Sequence, residues 1–164
     1  MSELALPKVD RNIISKKSLI VSDLKKIINK DNVLSELDEI KPYETDALAV
    51  YKNTPLAVVL PENTQEVSEI LKYCNNENIK VIPRGAGTGL SGGALPLKDA
   101  IVLGLGKFNK ILEIDFNNRC VVTQPGVTNL SITHAVKHKG YYYAPDPSSQ
   151  LACSIGGNVA ENSG

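Results

Sequence analysis

The sequence predicts one domain of mixed α and β structure, arranged in two lobes. Two observations predict it. Between Leu56 and Pro83 a continuous apolar run, an amphipathic helical period and a second short apolar run follow one another, the pattern of a strand–helix–strand unit. Beyond Pro83 helical periodicity thins out, and short apolar runs separated by Gly, Asn and Pro replace it, which predicts a second half built mainly of strands and loops. With 164 residues, 42% of them hydrophobic, the chain can bury a real core and is not expected to be disordered.

The elements follow in order. Residues 1–42 are polar and lysine-rich and form a helical lead-in. Ser22 can cap a helix running to Asn29, with Leu24, Ile27 and Ile28 on one face. A second apolar set, Val33, Leu34, Leu37 and Ile40, continues that lead-in. Leu56 to Leu60, ended by Pro61, reads as a buried strand. Asn63 with Glu66 opens a helix in the manner of a capping box, and Val67, Ile70, Leu71 and Cys74 share its apolar face down to about Asn75. Lys80 to Pro83 is the next strand, parallel to the first across a right-handed crossover. Ala100 to Leu103 is a further strand. Ile111 to Asp115 and Arg119 to Thr123 flank an Asn117-Asn118 hairpin turn. Thr128 caps a helix through His138 that Gly140 closes. Tyr141 to Gly164 is rich in Pro, Ser, Gly and Asn and reads as loop.

Composition excludes several function classes. Lys plus Arg and Asp plus Glu balance at 18 each, so no basic field draws in nucleic acid. Two Phe, six Tyr and no Trp leave little for base stacking. The cysteines Cys74, Cys120 and Cys153 form neither a CxxC pair nor a zinc pattern, and are expected as reduced thiols in a core. The start, MSELALPKVD, lacks the apolar stretch of a signal peptide, and no apolar run approaches the roughly 20 residues of a spanning helix. The expected location is the cytoplasm, at a membrane only through a partner.

The most informative stretch is Pro83-Arg-Gly-Ala-Gly-Thr-Gly-Leu-Ser-Gly-Gly93, in which five of eleven residues are glycine. That density costs backbone entropy. It suits a loop whose main chain takes positive φ and lets a ligand approach closely. Successive N–H groups then make an anion nest, with Thr88 and Ser91 adding hydroxyls, and a pyrophosphate is a natural guest. Gly87, Gly89 and Gly92 also satisfy the GxGxxG dinucleotide fingerprint, with Asp115 at a suitable distance downstream for a ribose carboxylate. That fingerprint needs a helix beginning inside the motif. Here Gly92-Gly93 would fall in its opening turns and Pro96 in its interior, at a cost of about 3 kcal/mol. A P-loop fails as well, because no Gly-Lys-Ser/Thr follows. A second cluster of small residues, Ala144 to Gln150 and Cys153 to Gly164, lies some sixty residues on. Two such loops suggest a long ligand held between two lobes.

Four segments carry a family resemblance: Val81 to Ala94, Gln124-Pro-Gly126, Tyr143 to Ser149 and Cys153 to Gly164, with weaker support from Tyr43, Asp46 and Pro55 to Pro61. Across residues 43–164 the chain resembles the FAD-linked 2-hydroxyacid dehydrogenases of the glycolate oxidase catalytic-subunit type. These carry the vanillyl-alcohol-oxidase, or PCMH-type, FAD-binding domain. The resemblance implies an α+β fold with a small parallel βαβ lobe followed by a mostly antiparallel lobe, here incomplete at the C-terminus. It implies cofactor-binding roles for Pro83, Arg84, Gly85, Ala86, Gly87, Thr88, Gly89 and Leu90, with main-chain N–H groups of Arg84 to Leu90 on the FAD pyrophosphate. Pro145, Asp146, Pro147 and Ser148, with Ser154, Gly156, Gly157 and Asn158, would line the diphosphate, ribityl chain and flavin ring. Gly126 would pack near the cofactor.

Relatives with covalent FAD carry His near the place of Thr88, so the resemblance implies noncovalent FAD here. It also implies a 2-hydroxy acid substrate, glycolate or D-lactate, oxidised by hydride transfer to flavin, and an electron-accepting partner subunit. Catalytic base and metal ligands would lie in a later substrate domain, so residues 1–164 alone are expected to be inactive. The other expectation of function is a noncatalytic flavin-domain fragment that serves only as a binding or interaction module. His134 and His138 are expected as ordinary helix residues.

Overall fold

The computed structural model describes residues 7–145 and 147–162. It begins with two helices, α1 (Arg11–Ser15) and α2 (Lys17–Ile27). Ser22, expected as a cap, therefore lies inside α2, which starts five residues earlier at Lys17 and ends at Ile27 rather than Asn29. Asp10 caps α1 by accepting the Asn12 N–H, and Ile13, Ile20, Val21 and Leu24 form the buried stripe. No capping side chain marks the start of α2, so the sequence carries no signal there.

A 3-10 turn leads into β1 (Val33–Leu34), a strand where a helical set was expected. It pairs antiparallel with β2 (Ala57–Val59), Val33 against Val59 and Leu34 against Val58. Only Leu37–Ile40 of that set is helical, as α3. The helix α4 (Thr64–Asn76) is capped by Asn63, whose side chain accepts the Glu66 N–H, and it buries Ile70 and Cys74. β3 (Lys80–Arg84) and β4 (Ala100–Gly104) complete a sheet in the order β1-β2-β4-β3. β2 and β3 are both parallel to β4, which lies between them. Pro83 sits on the edge strand, where its missing N–H costs least.

Alternation sorts the sheet's two faces. Ala57, Val59, Ile101 and Leu103 meet Ile13, Ile20, Leu24, Ile70 and Cys74, so α1, α2 and α4 cover one side. Val58 and Val102 turn to the other side against Ile40, with Tyr43 and Ile82 beside them. Each fully buried Val or Ile here contributes about 1.5–3 kcal/mol relative to exposure. At the far end of β4, Asp99 accepts from Lys80 Nζ at 2.6 Å and from the Asp10 N–H at 2.8 Å, tying the N-terminal segment to the sheet.

The second part is a hairpin, β5 (Ile111–Asp115) with β6 (Cys120–Thr123), then α5 (Asn129–Val136) and α6 (Ile155–Glu161). The hairpin loop is wider than an Asn-Asn turn. It spans residues 116–119, the Asp115 carboxylate caps the N–H groups of Asn117 and Asn118, and the positive φ of 54° falls on Arg119. Thr128 caps α5, and Gly140, at φ 78°, ends the 3-10 turn that follows it. α6 replaces the expected loop. Its Gly-Gly-Asn opening is poor helix sequence, but Ile155 N–H donates to Val127 O and Gly156 N–H to Pro125 O, and these bonds anchor it. Two cysteines are core thiols, and burial pushes the Cys74 thiol up to about 12. Cys120 is exposed on β6 rather than buried.

Candidate functional site

Parallel strands need a long connection. Between β3 and β4 that connection is residues 85–99, a loop with no helix inside its glycine motif. Gly87 and Gly92 take φ of 74° and 78°, in the left-handed region that glycine tolerates. Among the described residues, no main-chain N–H from Gly85 to Gly93 meets a protein acceptor. Such a row of free amides suits a ligand carrying several anionic oxygens.

The opposite wall is α6 with the turn before it. Gly85 lets the two walls touch, since a Cβ there would overlap Ser154 Oγ. Gly156 lets α6 lie on Pro125, whose Cβ is 2.5 Å from where a side chain would begin. Ser154 also bridges to Thr128, so the start of α6 and the start of α5 are fixed together. Beneath them lies a buried amide pair. Asn158 Nδ2 donates to Asn129 Oδ1 at 2.6 Å, and Asn129 Nδ2 donates to Pro145 O at 3.3 Å. A carbonyl can only accept, so Pro145 fixes the orientation of both amides.

Between the walls is a cavity of about 480 Å³, within the range of small-molecule sites. Pro83, Arg84, Gly85, Ala86, Gly87, Thr88, Gly89 and Leu90 line it from one side, and Pro147, Ser154, Gly156, Gly157 and Asn158 from the other. Of the remaining residues singled out in the sequence, Pro145 acts through Asn129, and Ser148 is exposed outside the cavity wall. Gly126 does not line the cavity either. Its N–H donates to Phe108 O at 2.7 Å, and a Cβ would press on the Leu105 and Phe108 carbonyls. Asp146 lies outside the described residues.

Sequence reasoning missed Leu105, Ala160 and Glu161, which also line the cavity. Glu161 bears most on charge. Its carboxylate approaches the positions a Cβ would take at Gly89 and Gly93, so it faces the glycine loop. Arg84 is the cation of the wall, and burial holds its guanidinium below the usual value, with Asp46 and Tyr43 opposing that shift. His134 is exposed, and His138 packs edge-on to Phe116 at 5.8 Å; neither lines the cavity. Among the described residues there is no group of three His, Cys, Asp or Glu that could hold a metal ion. No described helix is long and apolar enough to cross a membrane.

Comparison with known proteins shows the family and the fold. The chain is 48% identical over 160 residues to the glycolate oxidase subunit GlcD of Escherichia coli K12, covering 98% of this chain and 31% of that protein. It is 35% identical over 144 residues to the mitochondrial D-2-hydroxyglutarate dehydrogenase of Arabidopsis thaliana, covering 88% of this chain and 26% of that one. It thus spans about a third or less of the length of these relatives. The fold is also that of an alkyldihydroxyacetonephosphate synthase structure, with a TM-score of 0.77 at 20% identity over 96% of this chain and 30% of that one. The sequence family described as FAD binding domain matches residues 55–164, taking in β2 to β6, the glycine loop and α6, and it is to this PCMH-type family of FAD-binding domains that the chain belongs.

Proposed function

We propose that this chain is the FAD-holding part of a flavin-dependent enzyme that oxidises a small 2-hydroxy acid, glycolate or D-lactate, and passes the electrons to a partner subunit. Residues 43–164 are the cofactor-holding unit and 1–42 its lead-in. The observation that carries this reading is that the amides from Gly85 to Gly93 have no protein acceptor in a loop that lines the cavity opposite α6. It gives an FAD pyrophosphate several donors without a lysine or a helix dipole. The relatives named for glycolate and D-2-hydroxyglutarate support the substrate class, and the word subunit in the first supports a partner. FAD, when bound, supplies the two-electron acceptor. The chain's own residues bind and orient. Thr88 and Ser91 offer hydroxyls, and Asn158, locked by Asn129, keeps one amide orientation beside the cavity.

Binding is noncovalent in this reading, because Thr88 offers no histidyl link. The complete gene product should be yellow, and heat or acid should release all its flavin into the supernatant. Flavin left on the precipitated protein would contradict this, as would NAD binding seen by calorimetry.

Glu161 gives a second test. A carboxylate facing the amide row opposes a dianionic pyrophosphate. Glu161→Gln should therefore bind FAD roughly two- to three-fold more tightly in titrations of the flavin-free protein at low salt, with the gain fading as salt rises. Weaker binding by Glu161→Gln would instead make Glu161 an acceptor for ligand hydroxyls.

A further inference from the structure

A segment that meets the glycine loop, residues 43–48, lies before the matched family region, which begins at residue 55. We propose that Tyr43, Asp46 and Arg84 form a brace that holds the loop ready before any ligand arrives, and that the Arg84 side chain is a positioning group rather than the pyrophosphate's counter-ion. The identity of the ligand rests on the FAD reading above; the brace itself does not.

Arg84 ends β3 and directly precedes the loop. Its guanidinium turns back to the segment before β2. Nη1 donates to Thr45 O at 2.7 Å, and Cζ lies 5.5 Å from the centroid of the Tyr43 ring. The same guanidinium fills the space beside Gly87 where a Cβ would stand. From the other direction, Ala47 N–H donates to Gly87 O at 2.9 Å, and Leu48 Cδ2 lies 3.8 Å from the Cβ position of Gly92. Residues 43–48 thus meet the loop at Gly87 and Gly92, the two glycines of positive φ.

Asp46 is 5% exposed. Its Oδ1 accepts the Leu48 N–H at 2.9 Å, while Oδ2 has no partner among the described residues. A buried carboxylate needs a compensating charge; Asp46 makes no direct ion pair with Arg84 among the described residues, but its charge opposes the lowering of the guanidinium by burial. The segment is itself closed by Thr45 Oγ1 donating to Tyr51 O and Asn53 N–H donating to Glu44 O. A guanidinium tied to Thr45 O through Nη1 and set over the Tyr43 ring is held by the protein before a ligand arrives. The loop's amides are left for the ligand.

The test uses Arg84→Met, Arg84→Lys and the milder Tyr43→Leu in the complete gene product, stripped of flavin. Hydrogen exchange on the flavin-free protein should be about ten-fold faster in the peptide spanning residues 43–53 for Arg84→Met, the size of losing one charge-assisted bond. Exchange in Ala100–Gly104 should not change. Tyr43→Leu should shift exchange in the same direction by less. FAD affinity should fall about ten-fold for Arg84→Met, by the same factor at about 50 and 500 mM NaCl, and Arg84→Lys should not restore it. Unchanged exchange at residues 43–53 in both Arg84→Met and Tyr43→Leu would overturn the brace. So would restoration by Arg84→Lys together with a flattened salt dependence in Arg84→Met, the signature of a counter-ion. A parent protein that fails to bind FAD would overturn the cofactor reading instead, while the exchange data would still decide the brace.

Discussion

Gly87→Val in the complete gene product should lose FAD affinity by about a hundred-fold or more, read as flavin lost on gel filtration. Two costs combine. A β-branched residue at φ 74° is strained by at least 1–2 kcal/mol. Its Cβ would also overlap the Arg84 guanidinium, so either the loop or the arginine must move. Together these exceed the roughly 2.7 kcal/mol that a hundred-fold change requires. The sequence placed Gly87 in a loop that lets a ligand approach the main chain closely. The neighbour that actually fills the space is Arg84, so the damage should already be present in the flavin-free protein. Thr88→Ala should be far milder, removing one hydroxyl worth about 0.5–1.5 kcal/mol. Equal retention by both variants would mean that the glycine loop is not the anion cradle.

Gly126→Ala should be the most destabilising single-methyl change in the described chain. A Cβ at this position would stand 2.5 Å from Leu105 O and 2.6 Å from Phe108 O. Both obstacles are backbone, and Gly126 N–H is itself bonded to Phe108 O. No side-chain rotation relieves such a clash, so a loss of about 3 kcal/mol is expected, the upper range for overpacking. Gly106→Ala is the control. Nothing lies within 4 Å of its Cβ position, and it should stay within about 0.5 kcal/mol of the parent. Urea midpoints compare the two directly. Similar midpoints would show that the segment after β4 can yield.

The elements that were legible in the sequence are those whose local pattern and tertiary role coincide. β2 and β4 are continuous apolar runs because both faces are covered, and α4 carries its cap and its stripe together. The glycine loop was legible because no plain turn needs so many glycines. What was hidden depends on partners distant in sequence. β1 is a strand only because β2 offers an edge to pair with, and α6 is a helix only because Pro125 and Val127 accept its first N–H groups. Glu161 is a lone carboxylate in a Gly, Asn and Ser stretch, with no spacing to flag it. Gly126 was visible as part of a motif, but its cause, the carbonyls of Leu105 and Phe108, lies in another segment. The Arg84 brace joins residues that are 39 apart, and its tie to Thr45 is made to a main-chain oxygen, which any residue could supply.

The strand order has a consequence for how the chain is made. β4 lies between β2 and β3 in its sheet, yet it is the last of the four strands to leave the ribosome. Until Gly104 emerges, β2 and β3 stand with the slot between them empty. Neither can satisfy its inner edge by local pairing, because both wait for a strand that follows the glycine loop. Closing that slot is a long-range event, slow relative to the helices around it. During that interval the nascent chain presents the open edges that chaperones and neighbouring chains bind. The cradle cannot take shape before the slot fills, since its two ends are the C-terminus of β3 and the N-terminus of β4. Cofactor capture is thus ordered after sheet closure, and a synonymous-codon pause placed shortly after Gly104 clears the exit tunnel would be expected to raise the yield of flavin-loaded protein.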